Sequence, residues 1–328
     1  MVTGGHVTMP VTLDTTVKDV KIFLGQHQDR KPYYYRLLLG KKDMKVRAPD
    51  GTANKLVRYT GPQCAGVTVT AIAPYSAYAG MNTIPGAAVD DHGNAHGAAY
   101  DLGEDGAFQG LTAAVLQLSG FDFVAPRTAL EEKGFTLVHW VCIPSEAEFT
   151  QALSGAFQCW VISGHSGDAP LGAGHLDSLK HFYERGGGVY LWGDNDPYFF
   201  HANVVAHTLL GPGISLEGND WGDRHLSPRP STKAGSGFDS NSLLFTGIAK
   251  LYEGITIARV CAAGRTGVKT IMVSSHRQPL PGVINDGRHR LIVDGGFTRL
   301  FCHWDAAGSA RFVKNASAWL CGVDADWV

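Results

Sequence analysis

The chain has no run of apolar residues approaching the roughly 18 that a membrane-spanning helix needs, so no membrane is expected as a partner. It also lacks an excess of either charge. Against 28 Lys and Arg stand 30 Asp and Glu, a formal net charge of -2, which gives no general attraction to nucleic acid or anionic lipid. Its six cysteines are scattered and no two share C-x-x-C spacing, so neither a redox pair nor a thiolate zinc site is expected. There is no P-loop, no G-x-G-x-x-G after a strand and no H-E-x-x-H. His201 and His207 sit six apart on a helix and face different ways. Nucleotides, other cofactors and metals are therefore not expected. The opening "MVTGGHVTMPVTLD" has neither the basic nor the apolar region of a signal peptide, and with free, apolar-flanked cysteines this reads as a reduced, cytoplasmic chain.

What is present falls into three textures. Residues 1–74 hold a compact pattern of strand, helix and strands. Residues 75–106 are rich in Gly, Ala, Asn and Asp, have little periodicity and read as a linker. From 107 to 328 short apolar strands alternate with amphipathic helices, the order of an α/β unit whose mostly parallel sheet is covered on both faces. The 41 glycines suit the tight strand–helix junctions this requires.

In the first region "HVTMPVTLD" reads as a strand, "TTVKDVKIFLGQH" as a helix capped by Thr15 or Thr16, and "PYYYRLLLGKK" and "AGVTVTAIAP" as strands. The run from Val11 to Lys45, with Arg36, Leu37, Leu38, Leu39, Gly40 and Lys41 on an "R-L-x-x-G-K" strand, resembles ubiquitin and ubiquitin-like domains. The resemblance implies a small α+β β-grasp fold and a protein partner. It places Leu38 on the binding face, since alternation sets it opposite Leu37 and Leu39. Two departures stand out: the opening hairpin is short, and no Gly-Gly ends the module. It therefore resembles a built-in module rather than a conjugated modifier.

In the large region "SEAEFTQALSG" opens with a capping box, Ser145 with Glu148 three residues on. Further strands are predicted at "TLVHWVCIP", "FQCWVIS", "VYLWG", "GITIARV", "TIMVSS" and "HRLIVDGG", and helices at "FVAPRTALEEKGF", "LDSLKHFYERGGG", "YFFHANVVAHTLLG" and "ARFVKNASAWLCG". Four segments in order, "FQCWVISGHSG", "LDSLKHFYERGGGVYLWGDND", "LLFTGIAKLYEGITIAR" and "GRHRLIVDGGFTRLFCHWDAAGSARFVKNASAWL", resemble the class I glutamine amidotransferase-like superfamily, which includes trehalose-utilisation-type proteins. The resemblance implies a doubly wound, flavodoxin-like sheet. It implies a strand–turn–helix elbow at Gly193–Pro197, where catalytic members present a cysteine. Here Asp194, Asn195 and Asp196 fill that turn, so thioester chemistry on an amide is not expected. Cys159 lies within a strand and reads as core.

Ligands of doubly wound sheets bind at the carboxyl ends of the strands. Three such ends are polar: "GHSGD" with His165, Ser166 and Asp168; "GDND" with Asp194, Asn195 and Asp196; and "DGGFTR" with Asp294 and Arg299. Asp305, His303 and Arg311 follow, and Asp220, Asp223 and His225 come from a loop. Two roles fit. These groups line a crevice for a small polar ligand, with His165, Asp194 and Asp196 as the acid–base set if the protein is a hydrolase of a sugar or amide. Alternatively, Asp194 or Asp196 caps the helix that follows, and Asp305 caps the last helix. "GHSGD" lacks the final glycine of G-x-S-x-G, which argues against a serine nucleophile. A binding or adaptor protein is the leading expectation, and a divergent hydrolase the alternative.

Overall fold

The computed structural model describes residues 7–28, 36–39, 42–44, 52–61, 66–72, 75–230, 232–262, 267–286 and 289–322. Two compact units divide the chain, the first built on residues up to Tyr75 and the second on Ser76–Cys321.

In the small unit, helix α1 (Val17–Gln28) is followed by strands β1 (Arg36–Leu39) and β2 (Lys42–Asp43), a helical turn α2 (Val57–Thr60) and strand β3 (Thr70–Ile72). Thr16 caps α1: its Oγ1 accepts from the Asp19 amide (3.2 Å), and the Asp19 carboxylate accepts from the Thr16 amide (2.8 Å). The sheet is antiparallel, in the order β2-β1-β3. Val17, Leu37, Met44 and Leu56 form its core. The strand expected around residues 6–14 is not formed in its described part; Pro10 stands in the middle of it and cannot donate to a ladder. Leu38, expected on a binding face, is instead buried at 3% exposure, as is its neighbour Leu37 on the other face of β1 at 0%. Gly40 and Lys41 lie outside the described residues.

The large unit contains β4 (Thr112–Gln117), α3 (Val124–Glu132), β5 (Thr136–Trp140), α4 (Glu146–Gly155), β6 (Ala156–Ile162), α5 (Ala173–Glu184), β7 (Gly188–Trp192) and α6 (Phe200–Leu210). Then come β8 (Ile214–Trp221), β9 (His225–Leu226), β10 (Pro228–Arg229), β11 (Gly237–Asp239), β12 (Leu251–Tyr252), β13 (Thr256–Ala262), β14 (Lys269–Val273), β15 (Pro279–Asn285), β16 (Arg290–Asp294) and α7 (Ser309–Leu320). Nine strands form one mixed sheet in the order β10-β11-β14-β15-β16-β7-β6-β4-β5. From β16 to β5 the pairings are parallel, while β14, β15 and β16 pair antiparallel. Alternation sorts the two faces. Leu116, Cys159, Val161, Val189 and Leu191 meet Phe149 of α4, Leu179 and Phe182 of α5, and Val205 of α6. The opposite face is covered by α7, with α3 beside it. Burial pushes the Cys159 thiol up to about 12, which fits a core residue. The Ser145–Glu148 capping box forms as the sequence predicts.

Strands β4 and β8 to β12 were not among those predicted, and three further features were not expected. Strand β15, carrying two prolines, was not anticipated at all. Strand β13 leaves the main sheet and pairs with β8 as a separate antiparallel ribbon. Finally, residues 76–106 are not a free linker. Their regular structure is limited to an isolated antiparallel bridge between Val89 and Ala95 and a short helical turn at Ala98–Tyr100, yet several of them bond to distant parts of the large unit. The Asn94 side-chain carbonyl accepts the amides of Ala249 and Lys250, each at 2.8 Å. The Leu102 amide donates to Asn315 Oδ1 of α7 at 2.6 Å. The buried Asp101 carboxylate takes Lys133 Nζ and Arg311 Nε, both at 2.7 Å. Polar residues of a stretch read as a linker here satisfy partners from distant parts of the chain.

Candidate functional site

The carboxyl ends of β4, β6, β7 and β16 lie on one edge of the sheet, and the strand order reverses between β4 and β6. A ligand crevice is expected at such a reversal. Here the two loops are pressed together. Ser119 Oγ donates to the Ser163 carbonyl at 2.7 Å, and a Cβ on Gly164 would stand 2.6 Å from the Leu118 carbonyl oxygen.

The "GHSGD" turn is closed on itself. Asp168 Oδ2 accepts the His165 amide at 2.7 Å, and His165 Nδ1 accepts the Gly167 amide at 2.8 Å, which leaves the ring proton on Nε2. The imidazole lies edge-on to Tyr198, with centroids 5.4 Å apart. Ser166 is exposed, and its amide donates to the Pro197 carbonyl at 3.1 Å.

At the elbow, the Asp194 amide donates to the Tyr198 carbonyl (3.2 Å) and its Oδ1 accepts the Asn195 amide (2.9 Å). The Asn195 side chain donates to the Asp196 carbonyl, and exposed Asp196 precedes a cis bond to Pro197. Neither aspartate caps α6. The cap comes from across the sheet: Ser163 Oγ, at the end of β6, accepts the amides of His201 (3.0 Å) and Ala202 (3.3 Å). That helix start is thus satisfied internally and offers no anion site.

Asp294 and Arg299, expected in the crevice, are instead core residues. Both are 0% exposed, and Arg299 Nη2 donates to each carboxylate oxygen at 2.6 Å. Tyr190 Oη and the Gly296 amide complete the carboxylate's partners, at 3.0 and 2.9 Å. A planar guanidinium satisfies a buried carboxylate in this way, so neither group is left for a ligand. Asp305 is exposed and does not cap α7, whose N-cap is Gly308 in a left-handed conformation (φ 68°).

The structure brings Tyr252, which the sequence did not single out, together with Asp223, His225 and His303, which it did. Tyr252 Oη donates to Asp223 Oδ1 at 2.9 Å, and Asp223 holds a left-handed backbone (φ 70°) that aspartate tolerates better than most residues. The rings of His303 and His225 lie 4.8 and 5.9 Å from Tyr252. Burial and the Asp223 charge raise the Tyr252 phenol. Cys302 is exposed, yet partial burial of its sulfur and the nearby Asp194 charge raise its thiol, so no thiolate is favoured at neutral pH. Three aromatic side chains are exposed in this unit: Tyr198 after β7, Trp221 at the end of β8 and Phe301 after β16, at 44, 59 and 47%. No sequence signal marked them, because exposure of an aromatic ring is decided by packing alone.

Burial raises the Asp194 carboxyl to about 6, against the opposing bond from Asn195. Between the ordinary carboxylate range and that value the folded chain holds a proton that the unfolded chain releases. Stability therefore falls as pH rises from about 4 through 6, by up to about 3 kcal/mol. Urea unfolding at pH 4.5 and 7.5 should show this slope in the wild type and a flatter one in Asp194→Asn; equal slopes would contradict the burial of the charge.

Among the described residues no group of three or more His, Cys, Asp or Glu is arranged to hold a metal. The H-x-x-x-H spacing of His92 and His96 falls in turns, not on a helix. Two clefts, of about 310 and 250 Å³, lie elsewhere. One is at Tyr183, Leu209, Leu210 and His289, the other between α4 and α5 at Leu153, His181 and Arg185. No helix among the described residues is long and apolar enough to cross a membrane.

No protein-family model matches the chain, and no curated protein matches it in sequence. Among solved structures it is similar to the mmIFT52 N-terminal domain, at 12% identity over 64% of this chain and 96% of that one, with a TM-score of 0.46. A ThuA-like protein from Bacteroides uniformis is similar at 13% identity, over 66% and 93% of the two chains, with a TM-score of 0.40. A GMP synthase subunit from Thermoplasma acidophilum gives 14% identity, 64% and 94% coverage, and a TM-score of 0.40.

Proposed function

We propose that this chain is a binding protein rather than a catalyst, with a small ubiquitin-like module preceding an amidotransferase-like domain that lacks an elbow nucleophile. The observation that carries the reading is the state of the polar groups at the carboxyl edge. His165, Asp168, Asp294 and Arg299 are engaged by their own chain, and at the turns after β6 and β7 no serine hydroxyl or cysteine thiol among the described residues is bonded to a histidine or carboxylate. Acyl transfer needs such a pair. What stays available is a half-buried carboxyl at Asp194 beside the exposed Tyr198, whose carbonyl accepts the Asp194 amide at 3.2 Å. Carboxyl and aromatic faces together suit a small polar ligand or a partner's side chains. The resemblance of the Arg36–Lys41 motif to ubiquitin-like domains favours a protein partner for the small unit, although its Leu37 and Leu38 are both buried.

One observation favours the hydrolase alternative: a carboxyl titrating at about 6 has the range a general acid needs. The two readings separate in a turnover assay with p-nitrophenyl acetate, p-nitrophenyl β-glucoside and L-glutamine. Wild type, Asp194→Asn and His165→Ala should all stay at the buffer background. Turnover in the wild type that Asp194→Asn abolishes would overturn the binding reading.

A further inference from the structure

Strand β5 is the last strand on its side of the nine-stranded sheet, paired to β4 alone. Its sequence, "TLVHW", has none of the devices that keep sheet edges apart: no Lys, Arg, Asp, Glu or Pro, and no bulge in its pairing with β4. The Thr136 amide bonds inward, to the Leu111 carbonyl at 2.8 Å. Strand alternation then turns the backbone amides and carbonyls of Leu137 and His139 outward, and no described residue satisfies them. At this end of the unit Val124 and Val141 are also among its most exposed apolar side chains, at 62 and 72%.

Charge on the neighbouring helix selects the occupant. On α3, Arg127 reaches β5, its Nη2 lying 2.7 Å from His139 Nδ1. Glu131 stands one helical turn on, 3.6 Å from Arg127, and both side chains are substantially exposed. Four helical residues advance about 6 Å, and two strand residues about 6.6 Å. Because α3 runs back along β5, Arg127 sits over His139 and Glu131 over Leu137. When β5 meets a second β5 antiparallel, centred on Val138, the outward-facing Leu137 of each copy pairs with His139 of the other. In that same register, and in no neighbouring one, Arg127 of each copy comes opposite Glu131 of the other.

We propose that the β5 edge is a self-association surface, on which two copies of the chain join into one continuous sheet about a two-fold axis at Val138. A two-fold interface must be self-complementary, and an Arg–Glu pair straddling the axis meets that condition. Burial and the Arg127 charge lower the His139 imidazole, so the seam carries no like charges at neutral pH.

Sedimentation equilibrium of the full chain from about 1 to 100 µM, which spans dissociation constants in the micromolar decades, tests this. The wild type should reach twice the protomer mass within that range. Glu131→Arg, a surface change, should weaken the dimer about tenfold by setting two arginines against two. The double exchange Arg127→Glu with Glu131→Arg should restore it. A monomer throughout would overturn the proposal and leave the edge to an extended segment of another protein. A dimer indifferent to Glu131→Arg would equally overturn it, by placing the interface elsewhere.

Discussion

Replacing Asp294 by alanine should lower the free energy of unfolding by about 3–5 kcal/mol, the cost of stranding one member of a buried ion pair. Arg299 would remain 0% exposed, with Nη2 deprived of both 2.6 Å bonds and only Nη1 still held, by the Glu253 carbonyl. Its Nε already has no partner, so the site has no spare acceptor to take over. Trp192 and Phe312 lie against the guanidinium, at 5.8 and 5.4 Å, and close off water. The double change Asp294→Leu with Arg299→Met should cost less than Asp294→Ala alone, because the penalty lies in the unpaired charge. Urea denaturation at pH 7 measures both. An Asp294→Ala protein within about 1 kcal/mol of wild type would return Asp294 to the list of ligand-binding candidates.

An effect of comparable size is expected at Asp101. Lys133, just past the end of α3, is 0% exposed, and its ammonium is held by Asp101 and Asp105 at 2.7 Å each. Arg311 of α7 takes the other Asp101 oxygen at 2.7 Å. The tight approach is built into the backbone: a Cβ on Gly134, which holds φ +99°, would lie 2.7 Å from the Gln109 amide nitrogen. Asp101→Ala leaves a buried ammonium with only Asp105, whose side chain is 49% exposed, and should cost about 3–5 kcal/mol. Asp105→Ala should cost about 1 kcal/mol, as a rim partner does. Hydrogen exchange gives a local readout: the Leu102 amide, bonded to Asn315, should lose protection in Asp101→Ala. Unchanged protection and stability would mean that residues 76–106 are anchored by something other than this cluster.

These two carboxylates show where a sequence reading stops. Asp294 ends a strand beside other polar strand ends, and on that pattern it belongs in a crevice. Its partner Arg299 is five residues on, but only the turn of backbone between them aims the guanidinium inward rather than toward solvent. Asp101 sits among Gly, Ala and Asp in a stretch with no periodicity, and its partners Lys133 and Arg311 are 32 and 210 residues away. The expected helix caps fail for a related reason. An aspartate just before α6 is well placed by spacing, yet Ser163, 38 residues earlier, takes the amides because β6 delivers its hydroxyl there first.

By itself the sequence determined much of the alternation of strands and helices in the large unit, the capping box at Ser145, the burial of Cys159 and the absence of a cysteine from the Gly193–Pro197 turn. Each depends on periodicities and short-range bonds that the chain carries wherever it folds. Only the tertiary structure decided that Leu38 is covered, that residues 76–106 are bonded into the large unit, that β13 leaves the main sheet and that Asp294 and Arg299 are core. Whether a polar side chain meets a ligand or its own protein depends on which distant segment packs beside it. No local pattern records that choice.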